Sequence, residues 1–290
     1  DLNGVIINSD SMQVYKDLRV ITARPSAEEE ALAPHRLYGY LDATEVSSAA
    51  SWAKDAMREI EAAWQAGQTP IVIGGTGMYF KTLLDGMAVI PDIPDDIRSD
   101  IRRRCDEEGS EALHAELAKV DPKTAERLFP GDGQRICRAL EVYHATGKPI
   151  SAWQAETEPG PMKPVDDAGL LTKIVLDPPR DVLYDRCNRR FNLMLEEGAW
   201  EELDALMARN LDPALPLMRA LGVPSLIAYR RGEMPLEEAV EDAKMQTRRF
   251  AKRQLTWFRN QFGDWERFPA QFSESHYRDF LNKKITKAVD

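Results

Sequence analysis

Two short apolar runs constrain the fold of this chain more than any other feature. Val5-Ile6-Ile7 lies in Gly4 to Asn8 and breaks off into Ser9-Asp10-Ser11; Ile71-Val72-Ile73 lies in Pro70 to Gly74 and runs into Gly75-Thr76-Gly77. Runs this short, continuously apolar and bounded by turn residues fit buried strands. Between them, Ser48 to Ala66 sets Trp52, Ala56, Ile60, Ala63 and Trp64 near helical spacing. A second helix is predicted from the Gly-rich turn through Leu84. Strands alternating with helices predict a parallel α/β sheet. Ligands of such sheets sit at the carboxyl ends of the strands, where Asp10 and Thr76 fall.

The character changes after Pro91. Asp95 to Tyr143 has no strand pattern, and Leu113, Leu117, Ile136, Leu140 and Val142 fit helices. Glu156 to Asp167, with Pro159, Gly160, Pro161 and Pro164, reads as a loop. A strand is predicted at Leu171 to Leu176, then a helix from Pro179 to Glu197, and a long helix from Leu236 to Arg259 started by Pro235. The expected organisation is an α/β core of residues 1–92 and 166–268, an inserted helical domain at 93–165, and a helical tail at 269–290.

With 290 residues, 43% hydrophobic and 30% charged, the composition suits a globular protein. No apolar run reaches the roughly 18–20 residues of a membrane span, and the N-terminal residues lack the pattern of a signal peptide. Cys105, Cys137 and Cys187 are an odd number without a CxxC pair, which argues against a disulfide framework. A cytoplasmic monomer without membrane contact is expected. The four histidines are scattered, and no protein metal site is assigned. Net charge is −10, yet Lys244 to Arg259 holds six basic residues and no acid, and Arg98 to Arg104 holds four more. Such basic islands can meet phosphates although the whole chain is acidic.

Four segments carry candidate chemistry. Asp10, at the end of the first strand, can serve as a general base or simply cap the next turn. Gly74-Gly-Thr-Gly77 lets a backbone approach a ligand, but lacks the Gly-Lys-[Ser/Thr] ending of a phosphate-binding Walker A loop. Arg135 and Arg138 are three apart and share a helix face. In the last helix Arg248, Lys252 and Arg259 fall on one face, with Phe250, Trp257 and Phe258 toward the other. Uncompensated like charges there point to an anionic partner. Arg190, on the helix after the third strand, is a candidate pyrophosphate clamp.

Taken together and in order, Asp10-Ser-Met-Gln-Val-Tyr15, Pro34-His-Arg36, Gly74-Gly-Thr-Gly-Met-Tyr79, Gln134-Arg-Ile-Cys-Arg138 with Ala139-Leu-Glu141, and Lys252-Arg-Gln-Leu-Thr-Trp-Phe-Arg259 resemble the tRNA dimethylallyltransferase (isopentenyltransferase) family. The resemblance implies a P-loop NTPase-like core with a helical insertion that grips the anticodon stem-loop. It implies transfer of a dimethylallyl group from dimethylallyl diphosphate to N6 of the adenosine 3′ of the anticodon. Mg²⁺ would be held mainly by the diphosphate and a phosphate loop. Asp10 matches the family's general base. The tRNA contacts implied are Asp10, Ser11, Met12, Gln13, Thr76, Arg98, Gln134, Arg135, Ile136, Cys137, Arg138, Arg219, Arg248, Lys252, Arg253, Gln254, Thr256 and Arg259.

Two departures stand out. After Arg219-Ala-Leu-Gly222 this chain has Val-Pro, where many relatives place an aromatic and a basic residue. The family's Gly-x-x-x-x-Gly-Lys-[Ser/Thr] loop precedes the first matching motif by about one helix, whereas nine residues precede Asp10 here. Residues 1–290 alone are therefore expected to lack the loop and to show no measurable transfer. The alternatives are a P-loop nucleoside or nucleotide kinase, which would leave the Lys252–Arg259 motif unexplained, and a non-catalytic tRNA-binding remnant.

Overall fold

The computed structural model describes residues 2–269. The expected tail, 269–290, lies outside them except for Pro269. In chain order the elements are β1 (Gly4–Asn8), α1 (Ala27–Leu32), β2 (His35–Arg36), α2 (Ala49–Gln65), β3 (Thr69–Ile73) and α3 (Gly77–Asp85). A helical stretch follows: α4 (Asp95–Glu108), α5 (Ser110–Val120), α6 (Pro122–Arg127), α7 (Gly133–Thr146), α8 (Ile150–Ala155) and α9 (Lys163–Asp167). The chain closes with β4 (Ile174–Leu176), α10 (Arg180–Glu196), α11 (Ala199–Ala208), α12 (Val223–Arg230), α13 (Leu236–Gln261) and β5 (Glu266–Phe268). The described residues form two compact units, one of those up to Thr82 together with those from Pro164 onward, the other Leu83–Lys163. The helical unit thus begins at Leu83, within α3, earlier than the 93 expected from composition.

Every strand pairing is parallel. β1 lies between β2 and β3, and β4 pairs with β5 in a separate two-stranded piece. Central β1 buries Val5 and Ile7 almost completely. β3 was expected to be equally buried and is not: Ile73 is 48% exposed. Among the described strands β3 pairs on one side only, and an apolar triplet cannot tell an edge strand from a central one. The strand expected at Leu171 to Leu176 is confined to its last three residues.

α2 covers this sheet. Ser48 caps it by accepting the Ser51 N–H at 3.0 Å, and Trp52, Ala53, Ala56, Ile60 and Ala63 form its buried face. Trp64, grouped with that face by spacing, is 44% exposed, because it lies about 100° round the helix from Ala63. Trp52 stacks on Tyr79 at 4.2 Å and donates its indole N–H to the Asn8 carbonyl at 2.8 Å, tying α2 and α3 to the end of β1.

In the helical unit, Ile101, Leu113, Leu117, Ala125, Ile136, Cys137, Ala139 and Leu140 make the core. Buried Asp121 caps α6, accepting from the Thr124 N–H and hydroxyl, and also takes the Ser151 N–H at 3.0 Å. The segment expected to be all loop ends in α9, where Pro164 sits in the first turn and forfeits no helical hydrogen bond.

Candidate functional site

β1 delivers the chain to Asn8, a fully buried side chain that fixes the next turn. Asn8 donates to the Leu37 carbonyl at 3.0 Å and accepts the Asp10 N–H at 2.9 Å. Asp10 Oδ1 then accepts the N–H groups of Met12 at 2.8 Å and Gln13 at 3.3 Å, while buried Val14 and Tyr15 anchor the far end of the turn. The carboxylate is thereby held through one oxygen, and Oδ2 has no hydrogen-bond partner among the described residues. Capping and base are not exclusive readings of Asp10: the two oxygens are used differently.

Burial pushes the Asp10 carboxyl above the usual carboxylate range; the two N–H donors and the positive charge of Arg190 oppose this without cancelling it. Arg190 on α10 is thus the cation that Asp10 feels. Tyr38, a residue the sequence did not single out, also faces this site. Burial first, and the Asp10 charge second, push its hydroxyl up to about 12. A neutral phenol and a single guanidinium around a partly desolvated carboxylate leave its ionised form basic.

The second loop packs on the first. The Ser9 N–H donates to the Ile73 carbonyl at 2.7 Å, and the Thr76 N–H returns to the Ser9 carbonyl at 3.1 Å. Gly74 permits this approach, since a Cβ there would lie 2.2 Å from the Ser9 carbonyl carbon and oxygen. Thr76 Oγ1 accepts the Ser11 N–H at 2.9 Å and donates to the Ser11 hydroxyl at 3.3 Å. Thr76 therefore ties the two loops together. The Ser9 hydroxyl is fully buried and unpartnered among the described residues.

α13 closes the loop from its other side. Gln254 Nε2 donates to the Gly75 carbonyl at 2.9 Å, and a Cβ on Gly75 would meet that nitrogen at 2.1 Å. The Trp257 ring occupies the place of a Gly77 Cβ, at 2.1 Å. Sequence placed Gln254 among the RNA contacts; its amide nitrogen is spent on the loop. Gln13 is similarly occupied, donating both amide hydrogens to the Thr22 and Ala23 carbonyls at 2.9 and 2.8 Å. The signal for the latch was present in the two glycines, but nothing in the sequence said which side chain filled the space they leave.

The remaining charged face of α13 carries Arg248, which donates to Asn188 Oδ1 at 2.6 Å, exposed Lys252, and Arg259, 3.3 Å from Asp177. Arg253 lies 5.6 Å from the centre of the Phe250 ring, and the Thr256 hydroxyl bonds back to the Lys252 carbonyl at 2.9 Å. Arg219 is exposed at the end of a short 3₁₀ turn, Leu217–Arg219. Phe258 is buried and Trp257 half-buried in an aromatic cluster with Phe262 and Trp265, so they anchor the helix.

In the helical unit, Gln134, Arg135 and Arg138 are exposed on α7. Ile136 and Cys137, expected to contact RNA with them, have side chains in the unit's core, because they occupy the opposite face of α7. The expectation of a second free basic island at Arg98 to Arg104 is also corrected. Arg98 pairs with Asp95, Arg102 with Glu141, Arg103 with Asp100 and Glu107, and Arg104 with Glu108 and Glu116. Acids three or four residues away, skipped in a count of bases alone, neutralise most of it. Among the described residues no group of three or more His, Cys, Asp or Glu is placed to hold a metal ion. The described side chains do not form a Mg²⁺ cage.

No helix among the described residues is long and apolar enough to cross a membrane. The family model for IPP transferase matches residues 13–261. A tRNA dimethylallyltransferase from Bradyrhizobium sp. is 52% identical over 263 residues, covering 91% of this chain and 84% of that protein. One from Rhodopseudomonas palustris is 50% identical over 263 residues, covering 91% and 81%. The crystal structure of the full-length tRNA isopentenylpyrophosphate transferase of Bacillus halodurans superposes with a TM-score of 0.67 at 34% identity, covering 99% of this chain and 89% of that one. A eukaryotic dimethylallyltransferase acting on tRNA gives a TM-score of 0.76 at 27% identity, covering 97% and 74%. These neighbours share a P-loop NTPase-like α/β core with a helical insert. On this sequence and structural agreement, together with the loop pair built around Asp10 and Thr76, the chain belongs to the IPP transferase family.

Proposed function

We propose that this protein transfers a dimethylallyl group from dimethylallyl diphosphate to N6 of the adenosine 3′ of the anticodon, position 37, in tRNA. The observation that carries this reading is Asp10, a desolvated carboxylate with one oxygen fixed and one free, within the electrostatic reach of Arg190. In the reaction N6 forms a bond to C1 of the allyl group, the C1–oxygen bond breaks, and the electron pair leaves with the diphosphate. The N6 proton passes to Asp10 Oδ2. An exocyclic amine conjugated to a purine is a weak nucleophile, and removing its proton as the bond forms lowers the barrier. Arg190 supports the negative charge that grows on the departing diphosphate. Mg²⁺ would accompany the diphosphate, with no described side-chain cluster to hold it, and would supply positive charge for the leaving group. Lys252, Arg253, Arg259 and Arg248 supply charge for the RNA backbone, joined by Arg219 and by Gln134, Arg135 and Arg138 of the helical unit.

The test is Asp10→Asn in the full-length protein. Single-turnover prenylation should fall by on the order of 10²–10⁴-fold with tRNA affinity nearly unchanged. The ionised form is the base, so the wild-type rate should fall as pH drops through a value above the usual carboxylate range. Stability moves the other way. The unfolded chain ionises Asp10 first, so stability declines between the unfolded and the higher folded pKa, and Asp10→Asn should be the more stable protein at neutral pH. Near-normal turnover by this variant would remove Asp10 from the catalytic role.

A further inference from the structure

α10 and α13 pack side by side, with Asn188 against Arg248 at one end. Toward the start of α10 the groove between them opens into a cavity of about 40 Å³. Its apolar lining is Pro178 and Leu255; Arg180, Tyr184, Lys252 and Arg259 edge it. We propose that this cavity is a phosphate subsite that holds one backbone phosphate of the RNA, with Arg180 and Tyr184 as ligands alongside Lys252 and Arg259. The proposal rests on the tRNA reading above and extends it to two residues on α10.

Three cations from two helices converge on the cavity in a chain whose net charge is −10. Arg103, Arg135 and Arg189, also exposed, each pair with a carboxylate. Arg180 and Lys252, by contrast, have no ion-pair partner among the described residues. Arg259 shares Asp177 with Arg267, each at 3.3 Å, so one carboxylate faces two guanidinium groups there. The only other acid in the first turn of α10 is exposed Asp181. α10 starts at this cavity with Pro179 at its N-cap and no side-chain cap bond, so its first-turn N–H groups and the positive end of a 17-residue helix add to the field. The volume is about that of three waters, since one needs about 10–15 Å³, which suits a single phosphate group. Apolar Pro178 and Leu255 reduce the solvent competing for it.

The shared chemistry is phosphate, and inorganic pyrophosphate is the competing source. The experiment compares the full-length protein with Arg180→Ala, Arg180→Gln and Arg180→Lys, using an anticodon stem-loop RNA across a salt series and, separately, inorganic pyrophosphate by calorimetry. Circular dichroism verifies folding of each variant. The expected result is RNA binding about tenfold weaker for Ala and Gln at low salt, with the slope of log K against log salt reduced by about 1. Lys should restore most of the slope, and pyrophosphate affinity should not change. A wild-type slope in the Ala and Gln variants overturns the proposal and leaves the tRNA reading standing. Weaker pyrophosphate binding with an unchanged RNA slope also overturns it, assigning the cavity to the diphosphate. Salt-independent or absent RNA binding by the wild type overturns the tRNA reading itself, and this inference with it.

Discussion

Gly74→Ala probes how Asp10 is held in place. The added Cβ would stand 2.2 Å from the carbonyl carbon and oxygen of Ser9 and 2.8 Å from its Cα. These are backbone atoms at the end of the central strand, and no rotamer change can move them aside. The turn must give by about 1 Å to reach ordinary contact, which is the scale of overpacking that costs about 1–3 kcal/mol. The same shift strains the Ser9 N–H to Ile73 and Thr76 N–H to Ser9 hydrogen bonds, 2.7 and 3.1 Å long. Each is worth about 0.5–1.5 kcal/mol, so the total loss should lie within about 2–6 kcal/mol. Thr76 would then draw away from Ser11, next to Asp10, and a misplacement of about 1 Å at a reacting group costs on the order of 10²-fold in rate. Urea unfolding of Gly74→Ala gives the first quantity, with m-values compared to confirm that the denatured state is unchanged. Single-turnover prenylation gives the second. An unfolding free energy within about 0.5 kcal/mol of wild type would refute the claim that this backbone approach is tight. A destabilised variant with normal single-turnover rate would refute the coupling of the loop to Asp10.

Gln254→Ala removes the donor to the Gly75 carbonyl, and should lower the single-turnover rate several-fold while leaving the salt dependence of RNA binding intact; lost affinity at normal rate would return Gln254 to the RNA contacts. Asp121→Ala strips three hydrogen bonds from a buried cap in the helical unit and should cost about 1–3 kcal/mol by urea unfolding. Burial works to raise the Asp121 pKa, but hydrogen bonds from Ser151 and Thr124 bring it below the ordinary 3.8; its contribution is complete above that value and lost as pH falls beneath it, so a stability gap between wild type and variant that does not narrow below 3.8 would count against it.

Much of this was legible in the sequence because the signals were local. Val5 to Asn8, Ser48 with Trp52 and Ile60, and Pro235 opening a long helix each carry their own boundary chemistry, and the structure places elements at all three. The losses came where the answer depends on what lies across space. Ile71 to Ile73 has the composition of a central strand but pairs on one side. Ile136 and Cys137 sit between exposed residues of one motif, and only the core of the helical unit shows which way α7 is turned. Arg98 to Arg104 is basic by count and paired in fact, since Asp95, Asp100, Glu107 and Glu108 are interleaved at helical spacing while Glu116 and Glu141 arrive from other helices. Arg180 had no signal, because its meaning comes from Lys252 and Arg259 on α13.

α13 shows why the Lys252–Arg259 motif resists being read as a list of contacts. Gln254 and Trp257 are three apart and share the face that meets Gly75 and Gly77; Arg248, Lys252 and Arg259, at spacings of four and seven, lie on the opposite one. A single regular helix of 26 residues joins the two faces, held by the cluster of Phe258, Phe262 and Trp265. Displacing it to suit an anion on one face moves the side chains wedged into the Gly-rich loop on the other. That loop holds Thr76, and Thr76 holds Ser11 beside Asp10. Under the proposed function, the element that meets the RNA backbone is therefore also the one that sets the position of the loop at the base. The polar residues of the motif divide by face between these tasks, which residue type alone does not reveal.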